Sequence, residues 1–149
     1  KSPMKVKQLS LFLENKPGAL SRPIKLLAKA RLNILTLSIA DTQQFGILRF
    51  VVRDWEKAKR LLEKEQFVVK VSDLVAIEVA NEPGGLAGIL LALERARVNV
   101  EYMYGFTLRA EGKGVLAFRF DDPDTAIASL LGAGINPIRR VDLFNRLTG

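Results

Sequence analysis

The residues best suited to bind a ligand form a short motif that occurs twice in the chain. The hexapeptide NKPGAL at residues 15–20 recurs as NEPGGL at residues 81–86, an offset of 66 residues. At the same offset, ARLNI at residues 30–34 recurs as ARVNV at residues 96–100. Main-chain N–H groups of a Pro-Gly turn that leads into a helix can bind an anion, and asparagine oxygens can accept hydrogen bonds from a cation. Two copies favour a binding site over the structural alternative, a plain strand-to-helix turn.

The sequence contains few of the residues that catalysis, metal binding or phosphate binding would need. The chain contains no histidine and no cysteine, so the commonest general base, the thiolate nucleophile and most zinc ligands are missing. There is no glycine-rich phosphate loop with its lysine and no serine in a sharp strand-to-helix turn. The cluster of Asp121, Asp122 and Asp124 precedes a predicted helix, where carboxylates usually cap. We therefore expect no catalytic residue, no metal site and no cofactor.

The composition is that of a folded protein. Of 149 residues, 48% are hydrophobic and 26% are charged, which is enough to bury a core. The apolar runs are far shorter than the ~20 residues of a membrane-spanning helix, and no signal peptide is recognisable. We expect a soluble cytoplasmic protein that has no membrane partner. Met4 is a candidate for the natural first residue, which would make Lys1–Pro3 an addition.

The repeat predicts two small domains, residues 4–72 and 73–144. The first copy is predicted to contain strands at 6–14, 34–40, 45–53 and 67–71, with helices from Ser21, as the cap, and over 55–65. The second copy is predicted to contain strands at 74–80, 100–108, 114–120 and 137–143, with helices over 86–97 and 124–131. The fold class is therefore α+β, with two ferredoxin-like βαββαβ units whose antiparallel sheets carry helices on one face.

RNA-binding domains can also be built from a βαββαβ unit, and the charge distribution invites that comparison. Residues 1–72 carry a net charge of +9, whereas residues 73–149 carry −2. An RNA-recognition sheet stacks bases on aromatic side chains of its third strand. The two equivalent positions in residues 113–120 are Val115 and Ala117, which have no ring. Nucleic acid is therefore a disfavoured partner.

The doubled motif resembles that of ACT domains over nearly the whole chain. The matching residues are Asn15, Pro17, Gly18 and Leu20 followed by Asn33 and Ile34, and then Asn81, Pro83, Gly84 and Leu86 followed by Asn99 and Val100. The resemblance implies regulatory modules that bind small ligands, usually amino acids, at interfaces between paired domains. ACT domains are typically fused to enzymes of amino-acid pathways. This sequence shows no catalytic domain and is similar to the free-standing tandem ACT proteins of prokaryotes.

The resemblance and the residue chemistry together predict a site for a free amino acid. Its carboxylate would accept hydrogen bonds from amides around Gly18 at a helix N-terminus. Its ammonium would donate to an asparagine oxygen, with Asn15 bracing the loop and Asn33 reaching across the interface. The predicted ligand-binding residues are Asn15, Pro17, Gly18, Ala19, Leu20, Asn33, Ile34, Asn81, Gly84, Gly85, Leu86, Asn99 and Val100.

Joining the two units poses a geometric problem. In many ACT pairs the sheets lie side by side with strand order 4-1-3-2 in each unit, which separates the strands to be joined by roughly 29 Å. Residues 72–74 span only about 10 Å. Strand exchange would resolve this: residues 67–71 would form a hairpin with residues 74–80, and residues 137–143 would return to the first unit. The alternative is another packing of the units, with dimerisation completing the ligand sites.

The sequence thus predicts a non-enzymatic sensor that binds a free amino acid at ACT–ACT interfaces and regulates amino-acid metabolism. A homodimer is expected, and an enzyme of amino-acid metabolism is a candidate partner. Tyr102, Tyr104 and Phe106 alternate along one strand face, which fits packing better than a pocket, although they would favour an apolar or aromatic ligand. The rival prediction is a structural module for dimerisation or partner docking whose turns bind no ligand.

Overall fold

The computed structural model describes residues 3–42, 44–80, 82–106 and 113–148. Within these ranges the elements in chain order are β1 (Val6–Glu14), α1 (Ser21–Lys29), β2 (Ile34–Thr42), β3 (Phe45–Val52), α2 (Trp55–Lys64), β4 (Val69–Ala80), α3 (Gly85–Arg95), β5 (Val100–Gly105), β6 (Lys113–Phe120), α4 (Pro123–Gly132) and α5 (Arg140–Thr148). The chain divides into two compact units between Ser72 and Asp73. The N-terminal unit is Lys7–Ser72, and the C-terminal unit is Asp73 onward together with the segment up to Val6.

The sheet of the N-terminal unit has the strand order β2-β3-β1-β4, to which β4 contributes its first four residues. β1 and β3 are antiparallel, with Leu9 opposite Phe50 and Leu11 opposite Leu48, and β2 pairs antiparallel with β3. These four side chains are fully buried. Because alternate residues of a strand share a face, the period-two pattern of the sequence places them in one core. Read from β4 to β2, the strand order of this unit is 4-1-3-2, which is that of a ferredoxin-like sheet.

Two amphipathic helices cover this core. Leu27 of α1 and Leu62 of α2 are fully buried in the same apolar cluster. The start of α1 at Ser21 is as predicted, but the prediction that Ser21 caps the helix is wrong. Leu20 holds the N-cap position without a side-chain cap, and the Ser21 hydroxyl instead donates to the Gly18 carbonyl oxygen at 3.2 Å. No side chain therefore caps the first turn of α1, whose amide groups lack intrahelical acceptors.

The sheet of the C-terminal unit has the strand order β4-β6-β5 and is antiparallel. Its core contains Ile77 of β4, Leu93 of α3, Phe118 of β6 and Leu130 of α4, which are all buried. Phe118 and Phe120 stack with ring centroids 5.5 Å apart. Leu93 lies 66 residues after Leu27, so the repeat extends from the loops into the core.

Asp122 caps α4, which identifies the capping residue among the three candidate aspartates. Its carboxylate accepts a hydrogen bond from the Thr125 main-chain N–H at 3.1 Å and another from the Thr125 hydroxyl at 2.6 Å. These bonds favour the ionised form and hold the pKa of Asp122 below its ordinary value. Pro123 follows in the first turn, where its missing N–H removes no helical hydrogen bond.

The prediction of two separate strands around Ser72 is wrong. Val69–Ala80 is one continuous strand, so residues 67–71 do not turn back on residues 74–80. This stretch contains no glycine or proline to reverse the chain, and the Ser72 hydroxyl accepts a hydrogen bond from the buried Gln8 amide at 3.3 Å. The strand-exchange hypothesis therefore fails. Its second half fails as well, because Pro137 bridges to Ile77 of its own unit.

The predicted last strand at residues 137–143 is also wrong. Pro137 makes an isolated bridge, and α5 begins at Arg140. Proline has no N–H for a strand ladder, and the Arg140 N–H donates to the Pro3 carbonyl oxygen at 2.6 Å. Asp142 in the first turn and Arg146 in the last turn of α5 suit the helix dipole. These features stabilise a helix where local hydrophobicity favoured a strand.

The predicted fold class, α+β with antiparallel sheets, is confirmed despite these corrections. β5 ends at Gly105, and the last two residues of the predicted strand 100–108 lie outside the described residues. The longest helix in the described part of the chain has eleven residues. None of the described helices is long and apolar enough to cross a membrane.

Candidate ligand-binding site

The first repeated loop connects β1 to α1 through a set of short main-chain hydrogen bonds. The Lys16 N–H donates to the Glu14 carbonyl oxygen at 3.0 Å, and the Ala19 N–H donates to the Lys16 carbonyl oxygen at 3.2 Å. The Arg22 N–H donates to the Gly18 carbonyl oxygen at 3.3 Å. Gly18 has a φ of 86°, which L-residues with a side chain adopt only with strain.

The second repeated loop, between β4 and α3, has the same hydrogen bonds at an offset of 66. Glu82 donates to Ala80 at 2.9 Å, Gly85 donates to Glu82 at 3.1 Å, and Gly88 donates to Gly84 at 3.1 Å. Gly84 has a φ of 88°. The repeated sequence therefore folds into the same turn twice. Asn81, the first residue of the second motif, lies outside the described residues.

Two main-chain donors in each loop lack an acceptor. Within the described part of the chain, the amides of Gly18 and Leu20, and likewise those of Gly84 and Leu86, donate to no other residue. Each pair lies at the N-terminal end of a helix, where the helix dipole adds positive potential. Exposed donors in this position suit a carboxylate or a similar small anion.

Gly85 distinguishes the second loop from the first, which has Ala19 at the matched position. A Cβ atom on Gly85 would collide with the Ala80 carbonyl oxygen and would lie 3.3 Å from a side-chain carbon of Val79. Close approach of α3 to the end of β4 therefore requires glycine here. At the matched position of the first loop, Ala19 packs partly against the N-terminal core. The two loops share a hydrogen-bond pattern but differ in how tightly helix and strand meet.

Asn33 and Asn99 follow the helices at their other ends. Both residues are exposed, and Ile34 and Val100 behind them are half-buried first residues of β2 and β5. The Asn99 N–H donates to the Asp121 carboxylate at 3.0 Å. In the described structure neither asparagine side chain has a hydrogen-bond partner. Their amide groups are therefore available to a ligand.

Two arginines in the same repeated segment were not predicted as site residues. Arg31 and Arg97, each two residues before its asparagine, have φ values of 59° and 57°. A left-handed residue commonly ends a helix, but glycine normally fills that position. The signal in the sequence was the matched Ala-Arg-x-Asn, which places the same strained residue beside both asparagines. Gln66, at the end of α2 and outside the motif, has a φ of 72°, so this conformation by itself reflects how the helices end.

Each unit has a cleft beside one part of its repeated segment: the asparagine end in the N-terminal unit and the loop in the C-terminal unit. In the N-terminal unit, Asn33, Arg31 and Ile34 line a cleft of about 380 Å³ together with part of α1. In the C-terminal unit, Pro83 and Leu86 line a cleft of about 430 Å³ beside β6. Both volumes lie within the usual range for small-molecule sites.

A helix separates the two halves of the predicted residue set in each unit. The loop of residues 15–20 precedes α1 and Asn33 follows it, and a helix of nine residues is about 14 Å long. In the C-terminal unit the eleven residues of α3, about 16 Å, separate Gly84 from Asn99. A free amino acid is too small to bridge either distance. One unit alone therefore does not bring its loop and its asparagine to the same ligand.

The aromatic residues of the second unit are engaged in packing. Phe106 is 8% exposed and lies 6.2 Å from Tyr104 between ring centroids, at a tilt of 42°. Val115 and Ala117, which occupy the positions where an RNA-binding sheet would stack bases, are buried. The described ranges contain no group of three or more acidic side chains that could hold a metal ion.

Comparison with known proteins identifies the protein family to which this architecture belongs. The chain matches the family model of the ACT domain pair over residues 4–145. The crystal structure of protein BT0572 from Bacteroides thetaiotaomicron is 38% identical with a TM-score of 0.86, and the match covers 95% of this chain and 96% of that chain. None of the curated proteins compared with the chain matches it.

Two further structures are similar in fold alone. The regulatory subunit of aspartate kinase from Thermus thermophilus, in its ligand-free form, has 15% identity and a TM-score of 0.64, covering 87% of this chain and 93% of that chain. The aspartate kinase of Clostridium acetobutylicum has 15% identity and a TM-score of 0.58, covering 87% of this chain and 32% of that chain. The family model and the BT0572 structure together show that this chain belongs to the ACT domain family, as an ACT domain pair.

Proposed function

We propose that this protein is a non-enzymatic cytoplasmic sensor that binds a free amino acid at an ACT–ACT interface. Residues 4–72 and 73–144 would be its two ACT domains. The observation that carries the proposal is the identical hydrogen-bond pattern of the two loops, which leaves the same two amides without acceptors in each. By contrast, α2 and α4 have their first turns capped by the side chains of Asp54 and Asp122, whereas neither α1 nor α3 has a side-chain cap.

The ligand chemistry follows from these groups. The amides of Gly18 and Leu20 would bind the carboxylate of the amino acid, as would those of Gly84 and Leu86 in the second copy. An asparagine oxygen, from Asn33 or Asn99, would accept from its ammonium group. Asn15 would brace the first loop, since its N–H donates to the Gln44 carbonyl oxygen at 3.0 Å.

A second copy of the chain would bring a loop and an asparagine together. Each unit holds these groups at opposite ends of one helix, so a shared ligand needs a partner unit. β2 is an edge strand, and its Leu37 and Ile39 side chains are 48% and 52% exposed. Pairing of two chains along β2 would cover both side chains and satisfy the edge. We therefore propose a homodimer whose interface contains the ligand.

Ligand binding would regulate amino-acid metabolism. A ligand regulates only if it favours one arrangement of domains or one partner complex over another. The similar structure from Thermus thermophilus is a regulatory subunit of an enzyme, aspartate kinase, which supports a partner enzyme for this chain. Neither a membrane nor a nucleic acid is a proposed partner.

A thermal-shift screen of the twenty amino acids tests the proposal. A ligand at 100 times its dissociation constant adds about 2.7 kcal/mol, which raises Tm by roughly 5–10 °C for a chain of this size. For an amino acid bound at the loops, the variants Gly18→Val and Gly84→Val should weaken the response, because valine at a positive φ displaces the loop amides. Gly88→Val is the matched control, since Gly88 has an ordinary φ and open space around it.

The outcomes separate two functions. Loss of the response in the Gly18 and Gly84 variants, with folding retained by circular dichroism, would support the loops as the site. An unchanged response in both variants would remove the loops from it. No response of the wild-type protein to any amino acid would favour the docking module, for which the exposed Leu37 and Ile39 on β2 are the supporting observation.

A further inference from the structure

The C-terminal unit contains a cleft that the repeat does not account for. It has a volume of about 670 Å³ and lies between the end of β4, the segment before α5 and α5 itself. Met4, Pro137 and Ile138 form its apolar part, and Ile138 is only 6% exposed. None of the described residues of the two repeated motifs lines it.

Positively charged, negatively charged and neutral polar side chains line the rest of the cleft. Arg139, Asp142 and Asn145 follow one another at intervals of three residues, so they share one face of α5 and the turn before it. In the described structure none of these three side chains has a hydrogen bond or an ion pair. At the other end of the cleft, the Arg146 guanidinium donates to the Glu78 carboxylate at 3.1 Å. One cation and one anion, a helical turn apart, are therefore left for a ligand.

The walls of the cleft are held by main-chain hydrogen bonds. The Ile138 N–H donates to the Ala76 carbonyl oxygen at 2.8 Å. The Arg140 N–H donates to the Pro3 carbonyl oxygen at 2.6 Å, and its guanidinium donates to the Lys5 carbonyl oxygen at 3.3 Å. These bonds fix Ile138 and the start of α5 before any ligand arrives. A wall whose backbone is already fixed loses less conformational entropy on binding.

The cleft occurs where the second unit departs from the first. The first unit completes its sheet with the strand residues of β4, whereas the second makes one bridge at Pro137 and continues into α5. Replacement of a strand by a helix opens the space beside Glu78. Charged side chains without partners then line a feature that duplication of the ACT unit does not explain.

We propose that this cleft binds a small zwitterion whose carboxylate and ammonium groups are adjacent and whose remainder is aliphatic. The Arg139 guanidinium binds the carboxylate through its two-pronged donors, and the Asp142 carboxylate accepts from the ammonium. Residues one helical turn apart have Cβ atoms about 5–6 Å from each other, which suits adjacent charges. Met4 and Ile138 contact the aliphatic part. This site is independent of the proposed function of the loops.

The balance of charge argues against a polyanion such as a nucleotide. Arg139 and Arg146 are matched in the cleft by Glu78 and Asp142, so the lining carries no net charge. A phosphate group placed beside either carboxylate would meet repulsion, and it would have to compete with Glu78 for Arg146. A zwitterion can place its carboxylate beside an arginine and its ammonium beside a carboxylate, so it meets neither penalty.

Nuclear magnetic resonance of the ¹⁵N-labelled full chain locates binding residue by residue. The probes are norleucine, which has both charges, and hexanoate and pentylamine, which have one each. Norleucine should shift the amides of Asn136 and of residues 138–146, and each single-charge analogue should bind about tenfold more weakly or worse. Arg139→Gln and Asp142→Asn should each weaken norleucine binding about tenfold or more. Arg95→Gln and Glu94→Gln, exposed on α3 outside the cleft, are the matched controls.

The position of the shifts separates this site from the loops. In the double variant Gly18→Val, Gly84→Val, shifts at Asn136 and residues 138–146 should persist even if shifts around the loops disappear. Unmoved amides at Asn136 and residues 138–146 would overturn the proposal whatever happens at the loops. Wild-type norleucine affinity in Arg139→Gln and Asp142→Asn would overturn it too.

Discussion

Replacement of Gly85 by alanine is expected to destabilise the C-terminal unit, although alanine is the better helix former. The added Cβ would overlap the Ala80 carbonyl oxygen and lie 3.3 Å from both the Ala80 carbonyl carbon and a Val79 methyl. The oxygen belongs to the main chain at the end of β4, so it has no rotamer by which to move away. Either the strand end or the start of α3 must shift.

The magnitude follows from two opposing terms. Overpacking of this kind costs typically about 1–3 kcal/mol. Alanine in place of glycine in a helix recovers up to about 1 kcal/mol, and less in the first turn. The net expectation is a loss of about 1–2 kcal/mol. Gly88→Ala in the same helix meets nothing within 4 Å and should gain about 0.5–1 kcal/mol.

Urea titration followed by circular dichroism measures both variants under the same conditions. The two should differ by about 1.5–3 kcal/mol, or roughly 3–12 °C in Tm. This comparison reduces the contribution of helix propensity, because both changes are glycine to alanine in α3 and differ only in their position along it. If Gly85→Ala proves as stable as the wild type, the close approach of α3 to β4 does not restrict this position. The steric argument for glycine in the second loop would then be refuted.

Two other substitutions test local features. Arg31→Gly and Arg97→Gly should each stabilise the fold by about 0.5–1 kcal/mol, because glycine adopts a positive φ without the steric strain of a side chain. Urea titration measures the change. No gain in either variant would show that the arginines are unstrained. Asp122→Asn should keep the cap of α4 but reduce the dependence of Tm on pH between about pH 7 and about pH 2. Since the pKa of Asp122 is lowered in the folded state, its ionised form stabilises the protein above the pKa of the unfolded chain, and this contribution disappears as the pH falls through the folded value. Equal pH dependence in variant and wild type would contradict the assignment.

Local patterns predicted most of the elements. The boundaries of β1, the start of α1 and the start of α2 agree with the prediction, because the alternation and the helical spacing that indicate them lie within each element. The positive φ of Gly18 and Gly84 also follows from a Pro-Gly turn. The failures at residues 67–74 and 137–143 occurred where a distant partner decided the outcome. Arg140 bonds to Pro3, 137 positions earlier in the chain, which local hydrophobicity cannot reveal.

By itself, the sequence determined that there are two copies of one α+β unit and that each has a Pro-Gly turn before a helix. These properties depend on residue types at short spacing. The tertiary structure decided that Val69–Ala80 is one strand and that the chain ends in a helix with a charged cleft beside it. The reason is physical: strand continuity, carbonyl partners and distances between side chains depend on residues far apart in sequence, and only the folded chain brings them together.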